Sequence, residues 1–265
     1  MSSERQDEGQ DRVRRSRFED DGYPVRGLSL TLPDRDKLPL HSHPWAQLVY
    51  ASGGAMRVST PDAAWLAPPT RAIWAPSGVP HEIEMRGVVK MRTLYLSPEW
   101  AAALPGECRA LEVTPLLREV ILEIVRLRML KAGDPRHERL AGLLVDLLAE
   151  SETTPLGLPL PKDRRARILA DRVLDDPGAQ TPLERLARET GASLRTQQRL
   201  FQWETGLSLE AWRTRARMQH AVARLSDGVS VTETALDCGY DSASAFITAF
   251  KRQFGRTPGR YRRSS

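Results

Sequence analysis

Apolar and polar positions along this chain follow two different periods. Between residues 23 and 98 the apolar residues form short runs separated by glycine and proline, a pattern that predicts β-strands. From residue 114 onward they recur at the spacing of amphipathic helices. The order of these patterns predicts an α+β protein in which a β-rich part precedes a helical part.

Several short segments of the first part are rich in the β-branched, aliphatic and aromatic residues that strands favour. They are AQLVYA, AMRVST, AAWLAP, AIWAP, HEIEM and VKMRTLYL. Short strands with turns between them are typical of a small barrel or sandwich. We therefore expect residues 23–112 to form one such domain.

Two amphipathic helices are predicted within residues 113–150, the first after Thr114 and the second after Asp134. Their apolar positions are Leu117, Val120, Ile121 and Ile124 in the first helix, and Leu140, Leu143, Leu144, Leu147 and Leu148 in the second. Such stripes are typical of core packing, and the alternative is a contact between two copies of the chain. Residues 151–163 interrupt the helical period with three prolines and are predicted to be a linker.

The helical part, residues 164–265, contains one unit twice. The copies read TPLERLARETGASLRTQQRLFQWETG and SVTETALDCGYDSASAFITAFKRQFG. Each is predicted to open with a capping box, in which a hydroxyl and a glutamate three residues later satisfy each other's backbone N–H groups. The pairs are Thr181 with Glu184 and Ser230 with Glu233. Pro182 is expected in the first helical turn.

Each short opening helix is expected to stop at a glycine, Gly191 or Gly239, which adopts the left-handed conformation that closes a helix. A serine then caps a second helix, Ser193 in the first copy and Ser242 in the second. Helix, tight turn and helix form a helix-turn-helix, whose second helix enters the major groove of DNA. Two copies with a matched layout make this assignment specific.

The segment GYDSASAFITAFKRQFGRTPGRYR resembles the C-terminal signature of the AraC/XylS transcriptional regulators. TPLERLARETGASLRTQQRLFQWETGLSLEAWRTRARM resembles the first half of the same domain. The resemblance implies that one long helix joins the two units, and that a monomer presents two recognition helices to successive major grooves. The sequence supplies such a helix, which begins after Ser208 and ends at Asp227-Gly228. Its apolar stripe is Trp212, Met218, Ala221, Val222 and Leu225.

The outward positions of the first recognition helix are the predicted DNA contacts: Arg195, Thr196, Gln198, Arg199 and Gln202. Arginine can bind guanine with two hydrogen bonds and glutamine can do so with adenine, so this face is equipped to read bases. The alternative is an ordinary solvated face. Gln197 stands where the family usually has an apolar residue. It is either half-buried and bonded to backbone, or the helix is slightly rotated.

The second recognition helix is predicted to bury Phe246, Phe250 and Phe254, which are spaced by four residues. Its predicted DNA contacts are Ser242, Ser244, Thr248, Lys251 and Arg252. Small side chains allow close approach to DNA but form few paired hydrogen bonds with base edges. The first helix is therefore expected to carry most base recognition, and the second to position the protein.

Two stretches of the β-rich part contain histidines in a distinctive pattern. Residues 41–47 read HSHPWAQ and residues 76–81 read PSGVPH. They resemble the two motifs of the cupin barrel, with Gln47 in place of a glutamate and Met85 in place of an asparagine. The resemblance implies an N-terminal cupin-like β-barrel that senses an effector, followed by the two helices and an all-α domain with two helix-turn-helix units.

Three imidazoles, from His41, His43 and His81, can hold a divalent metal ion and leave a position open for a ligand. A neutral amide from Gln47 adds no negative charge, which lowers the expected affinity. If residues 41–47 form one strand, alternate residues share a face: His41, His43, Trp45 and Gln47. The alternative to a metal site is a small-molecule pocket that the histidines line beside Trp45, Trp65 and Trp74.

Net charge separates the two parts of the 265-residue chain. Residues 161–265 hold 19 Lys and Arg against 12 Asp and Glu, a formal +7, whereas residues 1–160 hold 20 against 22, a formal −2. The positive half carries the helix-turn-helix units, as a polyanionic partner requires. Residues 1–22 are charged throughout and lack an apolar signal segment, so a disordered tail is expected.

These features predict a cytoplasmic transcription regulator that binds duplex DNA, responds to a small-molecule or metal effector, forms a homodimer and, if it activates, contacts RNA polymerase. No membrane segment is expected, because no run approaches the roughly 20 apolar residues required. Cys108 and Cys238 are expected to be reduced. The alternatives are a metal-dependent cupin enzyme fused to a DNA-binding domain, and a constitutive DNA-binding protein whose barrel is purely structural.

Overall fold

The computed structural model describes residues 23–154 and 157–263, so the expected tail over residues 1–22 lies outside the described residues. Its strands are β1 (Val25–Leu32), β2 (Lys37–His41), β3 (Ala46–Tyr50), β4 (Ala55–Ser59), β5 (Ala63–Ala67), β6 (Arg71–Ala75), β7 (His81–Arg86), β8 (Val89–Leu96), β9 (Arg109–Glu112), β10 (Met129–Leu130), β11 (Thr153–Thr154) and β12 (Leu158–Pro159). Every segment with strand-like composition forms a strand, within one residue at each end.

The strands form two antiparallel sheets rather than the closed barrel expected from the sequence. One sheet has seven strands in the order β10-β1-β8-β3-β6-β9-β11, and the other has five in the order β12-β5-β4-β7-β2. Each order begins and ends at an edge strand, so neither sheet closes on itself. The α+β class is confirmed, and the closed barrel is replaced by two facing sheets.

The chain changes sheets between β2 and β3. β2 ends at His41 and β3 begins at Ala46, in the other sheet. Pro39 and Pro44 have no N–H to donate to a ladder, and the pairing of β2 with β7 is irregular just before His41. Residues 41–47 therefore do not form one strand, and alternation along a strand does not place His41, His43, Trp45 and Gln47 on one face.

Apolar side chains from both sheets fill the space between them. This core includes Val49, Met56, Val58, Trp65, Ile73, Ile83, Met85 and Met91. Burying one such side chain contributes about 1.5–3 kcal/mol. Trp74 belongs to the opposite face of its sheet, where Nε1 donates to the carbonyl of Pro105 at 2.8 Å. The expected pocket with Trp65 and Trp74 as common walls does not form, because the two rings belong to different cores.

Helices cover the outer face of the seven-stranded sheet. They are α1 (Pro98–Ala101), α2 (Pro115–Leu127) and α3 (Pro135–Glu150). Thr114 and Asp134 cap α2 and α3 by accepting from backbone N–H groups, as predicted. The predicted apolar stripes of both helices, except Leu143, pack in one core with strand residues of this sheet. Leu116 and Leu143 remain exposed on the outer surface.

The helical part contains α4 (Arg164–Asp175), α5 (Leu183–Glu189), α6 (Leu194–Thr205), α7 (Leu209–Ser226), α8 (Val231–Asp237), α9 (Ala243–Phe254) and α10 (Pro258–Arg263). α5 with α6 and α8 with α9 are the two helix-turn-helix units, and the 18-residue α7 joins them. Within the described residues, no helix has the length and apolar content needed to cross a membrane.

Both turns follow the predicted chemistry. Gly191 and Gly239 have φ angles of 78° and 71°, in the left-handed region that glycine adopts without steric cost. Ser193 and Ser242 cap α6 and α9 by accepting from backbone N–H groups one turn later. These local contacts set the angle between the two helices of each unit.

The first capping box was predicted wrongly. Pro182, rather than Thr181, occupies the N-cap of α5, and no side-chain bond caps this helix. Pro182 has an extended backbone, so the helix begins at Leu183. A cap by the hydroxyl of Thr181 would require the helix to begin one residue earlier. In the second unit Ser230 accepts from the backbone N–H of Glu233 at 3.2 Å, so the serine half of that box forms.

The loop between α4 and α5 touches the turn of the second unit through a pair of glycines. A Cβ atom on Gly178 would lie 2.1 Å from the carbonyl oxygen of Asp237, and one on Gly239 would lie 2.4 Å from the carbonyl oxygen of Gly178. Arg213 and Arg217 of α7 donate to backbone carbonyls of the loop that contains Gly178, both at 3.1 Å. This contact and α7 together fix the spacing between α6 and α9.

The helical part docks against the five-stranded sheet. Trp212 donates from Nε1 to the carbonyl of Pro159 at 2.6 Å, and Gln219 donates to the carbonyl of Ala64 at 3.4 Å. Half-buried Phe254 of α9 reaches the core between the sheets. A partly open pocket of about 280 Å³ lies at this interface. Docking is therefore specific but incompletely packed.

Candidate metal site and DNA-binding surface

Three histidines converge between the two sheets. His41 and His81 are direct partners across β2 and β7, and His43 lies in the crossing between β2 and β3. Their ring centroids are separated by 5.8, 4.6 and 5.1 Å, and one ligand atom of each ring lies within 4.8 Å of the others. Pairing between strands, rather than alternation along one strand, brings the three rings together.

The backbone fixes the tautomer of each ring. Nδ1 donates to a backbone carbonyl in all three cases: His41 to Pro39 at 2.8 Å, His43 to Trp45 at 2.5 Å and His81 to Val79 at 2.9 Å. A carbonyl oxygen only accepts, so Nδ1 must be the protonated nitrogen. In the neutral rings the three Nε2 atoms therefore carry lone pairs.

Gln47 adds a fourth electron-pair donor, and its hydrogen bonds fix the orientation of its amide. Nε2 of Gln47 donates to the hydroxyl of Thr93 at 2.8 Å and to that of Tyr95 at 3.1 Å. The Thr93 hydroxyl donates its own hydrogen to the carbonyl of Leu48 at 3.0 Å, so it must accept from the amide. The amide oxygen therefore points the other way, toward the histidines.

Burial keeps the two inner rings neutral. It lowers the pKa of His81 to about 4 and also lowers the pKa of His43. Gln47 Oε1 lies 3.0 Å from Nε2 of His43 and 2.9 Å from Nε2 of His81, yet neither nitrogen has a hydrogen to share. Nε2 of His41 is buried without a hydrogen-bond partner among the described residues. Three ring nitrogens and one amide oxygen thus converge, and a cation could bind all four.

The donor set fits a first-row divalent metal ion. Imidazole nitrogens suit zinc, copper, iron and nickel, and four donors complete a tetrahedral shell. A carbonyl behind each ring is the usual outer contact of a metal-ligating histidine. Trp45 contributes its carbonyl to this support, and its ring faces the guanidinium of Arg26 at 4.8 Å.

α6 turns the predicted base-reading residues outward. Arg195, Arg199 and Gln202 are exposed. Thr196 and Gln198 are half-buried. Neither arginine forms an ion pair within the described part of the chain, so both charges can face a polyanion. The set omits Trp203, which lies one turn after Arg199 and is 86% exposed. The spacing of four residues from Arg199 was the signal in the sequence that could have identified it.

Gln197 of α6 is fully buried and structural. Its amide donates to the carbonyl of Arg165 at 3.2 Å and to the hydroxyl of Thr190 at 2.9 Å. The interpretation that this glutamine is bonded to backbone is confirmed, and its burial is complete rather than partial. The bonds tie α6 to the beginning of α4 and to the turn between α5 and α6.

α9 exposes every residue predicted to contact DNA: Ser242, Ser244, Thr248, Lys251 and Arg252. Phe246 and Phe250 are fully buried, as predicted. Phe254 is only half-buried, because it lies at the end of α9 where the helical part meets the sheets. The outward face of α9 therefore has small hydroxyls near its beginning and two cations near its end.

An ion cluster joins the five-stranded sheet to α4. Arg57 and Arg86 donate to the carboxylate of Asp175 at 3.0 and 3.2 Å, and Glu84 accepts from both arginines. Arg86 also donates to the carbonyl of Leu174, at the negative end of α4. Although burial opposes it, the two arginines hold the pKa of Asp175 below its usual range. The sequence alone did not indicate this cluster, because Arg57 and Asp175 are 118 residues apart.

Two family models match the chain. The model of the AraC-like ligand binding domain matches residues 22–203, and that of the helix-turn-helix domain matches residues 186–264. The HTH-type transcriptional regulator NimR of Escherichia coli K12 is 34% identical over 223 residues, which cover 84% of this chain and 81% of NimR. RipA of Corynebacterium glutamicum, another HTH-type transcriptional regulator, is 35% identical over 124 residues, which cover 47% of this chain and 37% of RipA.

One similar solved structure is ToxT from Vibrio cholerae O395, which is 10% identical with a TM-score of 0.39. The similarity covers 91% of this chain and 98% of ToxT. A DNA-binding transcriptional dual regulator from Escherichia coli K-12 is 27% identical over 38% of this chain and 98% of its own, with a TM-score of 0.36.

Proposed function

This chain belongs to the AraC family of transcription regulators, with an N-terminal ligand-binding domain and a DNA-binding helix-turn-helix domain, and on that premise we propose that the N-terminal domain binds a divalent metal ion. The ligands are His41, His43, His81 and Gln47. The observation that carries the proposal is the convergence of one ring nitrogen from each of the three histidines with the amide oxygen of Gln47.

A bound ion would be coordinated by these four atoms and would connect the two sheets. His41 and His81 belong to the five-stranded sheet, and Gln47 belongs to the seven-stranded sheet. A neutral amide binds a cation more weakly than a carboxylate does, so the site suits an ion that the protein senses and releases. Imidazole donors favour zinc, nickel or iron over magnesium and calcium.

The metal content of the full chain, purified without a histidine tag, tests the site. The wild-type protein is expected to hold near-stoichiometric metal after incubation with zinc, nickel, iron or manganese and removal of excess ion. His81→Ala removes one ligand and is expected to lose it, as is His41→Ala. His137→Ala is the control, because His137 is a half-buried histidine at the start of α3 that lies outside the three-histidine cluster. No metal in the wild-type protein would refute the site and leave an organic effector as the ligand.

Strand β7 provides a route from this site to the DNA-binding part. It begins with the ligand His81 and ends with Arg86, which donates both to Glu84 of the same strand and to Asp175 of α4. α4 in turn accepts a hydrogen bond from Gln197 of α6. We infer that metal binding biases the docking of α4, and through it the position of α6. An interface that is joined by ion pairs and retains a pocket can rearrange more readily than a continuous apolar core.

Asp175→Asn is expected to uncouple the two sites. In the wild-type chain, metal should change DNA affinity by about 5–150-fold, the usual range for coupled sites. In the variant that ratio should fall toward one, while metal content stays unchanged. Glu189→Gln, which alters an exposed ion pair within the helical part, is the control and should keep the wild-type ratio. A ratio of one in the wild-type chain would favour constitutive DNA binding.

The relatives are transcription regulators, which argues against the alternative of a metal-dependent cupin enzyme fused to a DNA-binding domain.

We propose that two copies associate in the cytoplasm through the exposed Leu116 and Leu143 of α2 and α3. Light scattering should then report twice the chain mass. If the regulator activates transcription, its DNA-bound form contacts RNA polymerase.

A further inference from the structure

Trp203 is the only tryptophan of the described chain that stands in solvent. Its side chain is 86% exposed near the end of α6. The other tryptophans are buried or half-buried: Trp45, Trp65, Trp74, Trp100 and Trp212. An indole presents a large apolar surface and one N–H donor, and both are left to water here.

The turn of α6 places Trp203 on the face that points away from the protein. Gln197 and Phe201 mark the buried side of this helix. At 100° per residue Arg199 lies opposite them, and Trp203 follows Arg199 by one turn on the same face. Trp203 thus flanks the guanidinium of Arg199, on the side away from Arg195.

We propose that Trp203 is a DNA-contacting residue that packs against the sugar–phosphate wall of the major groove and donates its indole N–H to a phosphate oxygen. The proposal rests on the proposed function, in which α6 is a recognition helix. The beginning of such a helix reads base edges. Trp203 lies nine residues after Leu194, about 14 Å further along the axis, where the helix passes the backbone. Its contact therefore positions the helix and carries no base preference.

The neighbourhood favours DNA over a protein partner. Any partner that covers Trp203 also covers Arg199, one turn away on the same helix face. Arg195 and Arg199 are exposed and form no ion pair among the described residues. A polyanion compensates these cations, whereas an apolar protein surface would leave them desolvated and unpaired.

Quenching of tryptophan emission by acrylamide tests the contact directly. Acrylamide is neutral, so duplex DNA does not repel it. In the full chain Trp203 should supply the readily quenched component, which should be absent from Trp203→Phe. Saturating duplex DNA should lower the quenching constant of this component severalfold in the wild-type chain. An unchanged constant in the DNA complex would overturn the proposal.

Affinity measurements separate positioning from base reading. Trp203→Ala should weaken binding about tenfold for matched and unrelated duplexes alike. The dependence of log K on log salt should not change, because no cation is removed. Trp203→Phe keeps an aromatic ring without the N–H, and its affinity should lie between those of wild type and alanine. Leu236→Ala is the control, because Leu236 is also a large exposed apolar residue, at 64%, but belongs to α8.

Two variants distinguish failure of this inference from failure of its premise. If Arg195→Ala and Arg199→Ala leave DNA binding intact, α6 is not a recognition helix and the premise fails. If those variants weaken binding and Trp203→Ala does not, only the role of Trp203 is overturned. Loss of transcriptional activation at unchanged DNA affinity would likewise overturn it, and would assign Trp203 to a protein contact.

Discussion

Replacing Arg199 by alanine is expected to cost about 1–3 kcal/mol of binding to a matched duplex and to relax base preference within the site. Arg199 is exposed on the side of α6 opposite buried Phe201, with no ion pair among the described residues. Its guanidinium can therefore donate two hydrogen bonds to a guanine edge. The matched duplex is obtained by selecting from a randomised library with the wild-type chain, and affinities are compared for single-base changes.

Lys251→Ala provides the contrast, because Lys251 lies in the last turn of α9 and is expected to contact phosphate. This variant should weaken all sequences alike and reduce the salt slope by about one. The reading role of Arg199 would be refuted if Arg199→Ala discriminated between duplexes as well as the wild-type chain does.

Gly239→Ala is expected to destabilise the helical part by about 2–5 kcal/mol. A left-handed φ of 71° costs a residue with a Cβ about 1–2 kcal/mol. The new Cβ would also lie 2.4 Å from the carbonyl oxygen of Gly178, and relief of such overpacking costs about 1–3 kcal/mol. Because the clash is between backbones, the loop before α5 and the turn of the second unit must separate to relieve it, so DNA affinity should fall as well.

Gly191→Ala isolates the effect of the contact. Gly191 occupies the equivalent turn of the first unit, with a φ of 78° and no atom near the position of its Cβ. Gly191→Ala should therefore lower the stability only by the cost of the left-handed backbone conformation, about 1–2 kcal/mol. Urea unfolding followed by far-UV circular dichroism measures both variants. Equal losses of stability would mean that Gly178 and Gly239 do not contact each other closely.

The helix-turn-helix units were predictable because their determinants are local. Caps, glycine turns and apolar stripes act within one or two helical turns, so Ser193, Gly191 and Ser208 had the expected roles. The same spacing rule also applied to Trp203, although the predicted contact set omitted it. The capping of α5 was mispredicted at Thr181, because neighbouring Pro182 determined where the helix began.

The sequence by itself determined the six strands β3 to β8, most of the helix boundaries, and that the chain carries paired helix-turn-helix units and a histidine motif. Only the tertiary structure decided that the sheets stay open and that Gln47 reaches His81 from the other sheet. It alone also decided that Asp175 meets Arg57. Caps, turns and helical periodicity depend on residues a few positions apart. Strand pairing and domain docking depend instead on which distant surfaces bury each other, and the pattern of apolar residues in a single sequence does not specify those partners.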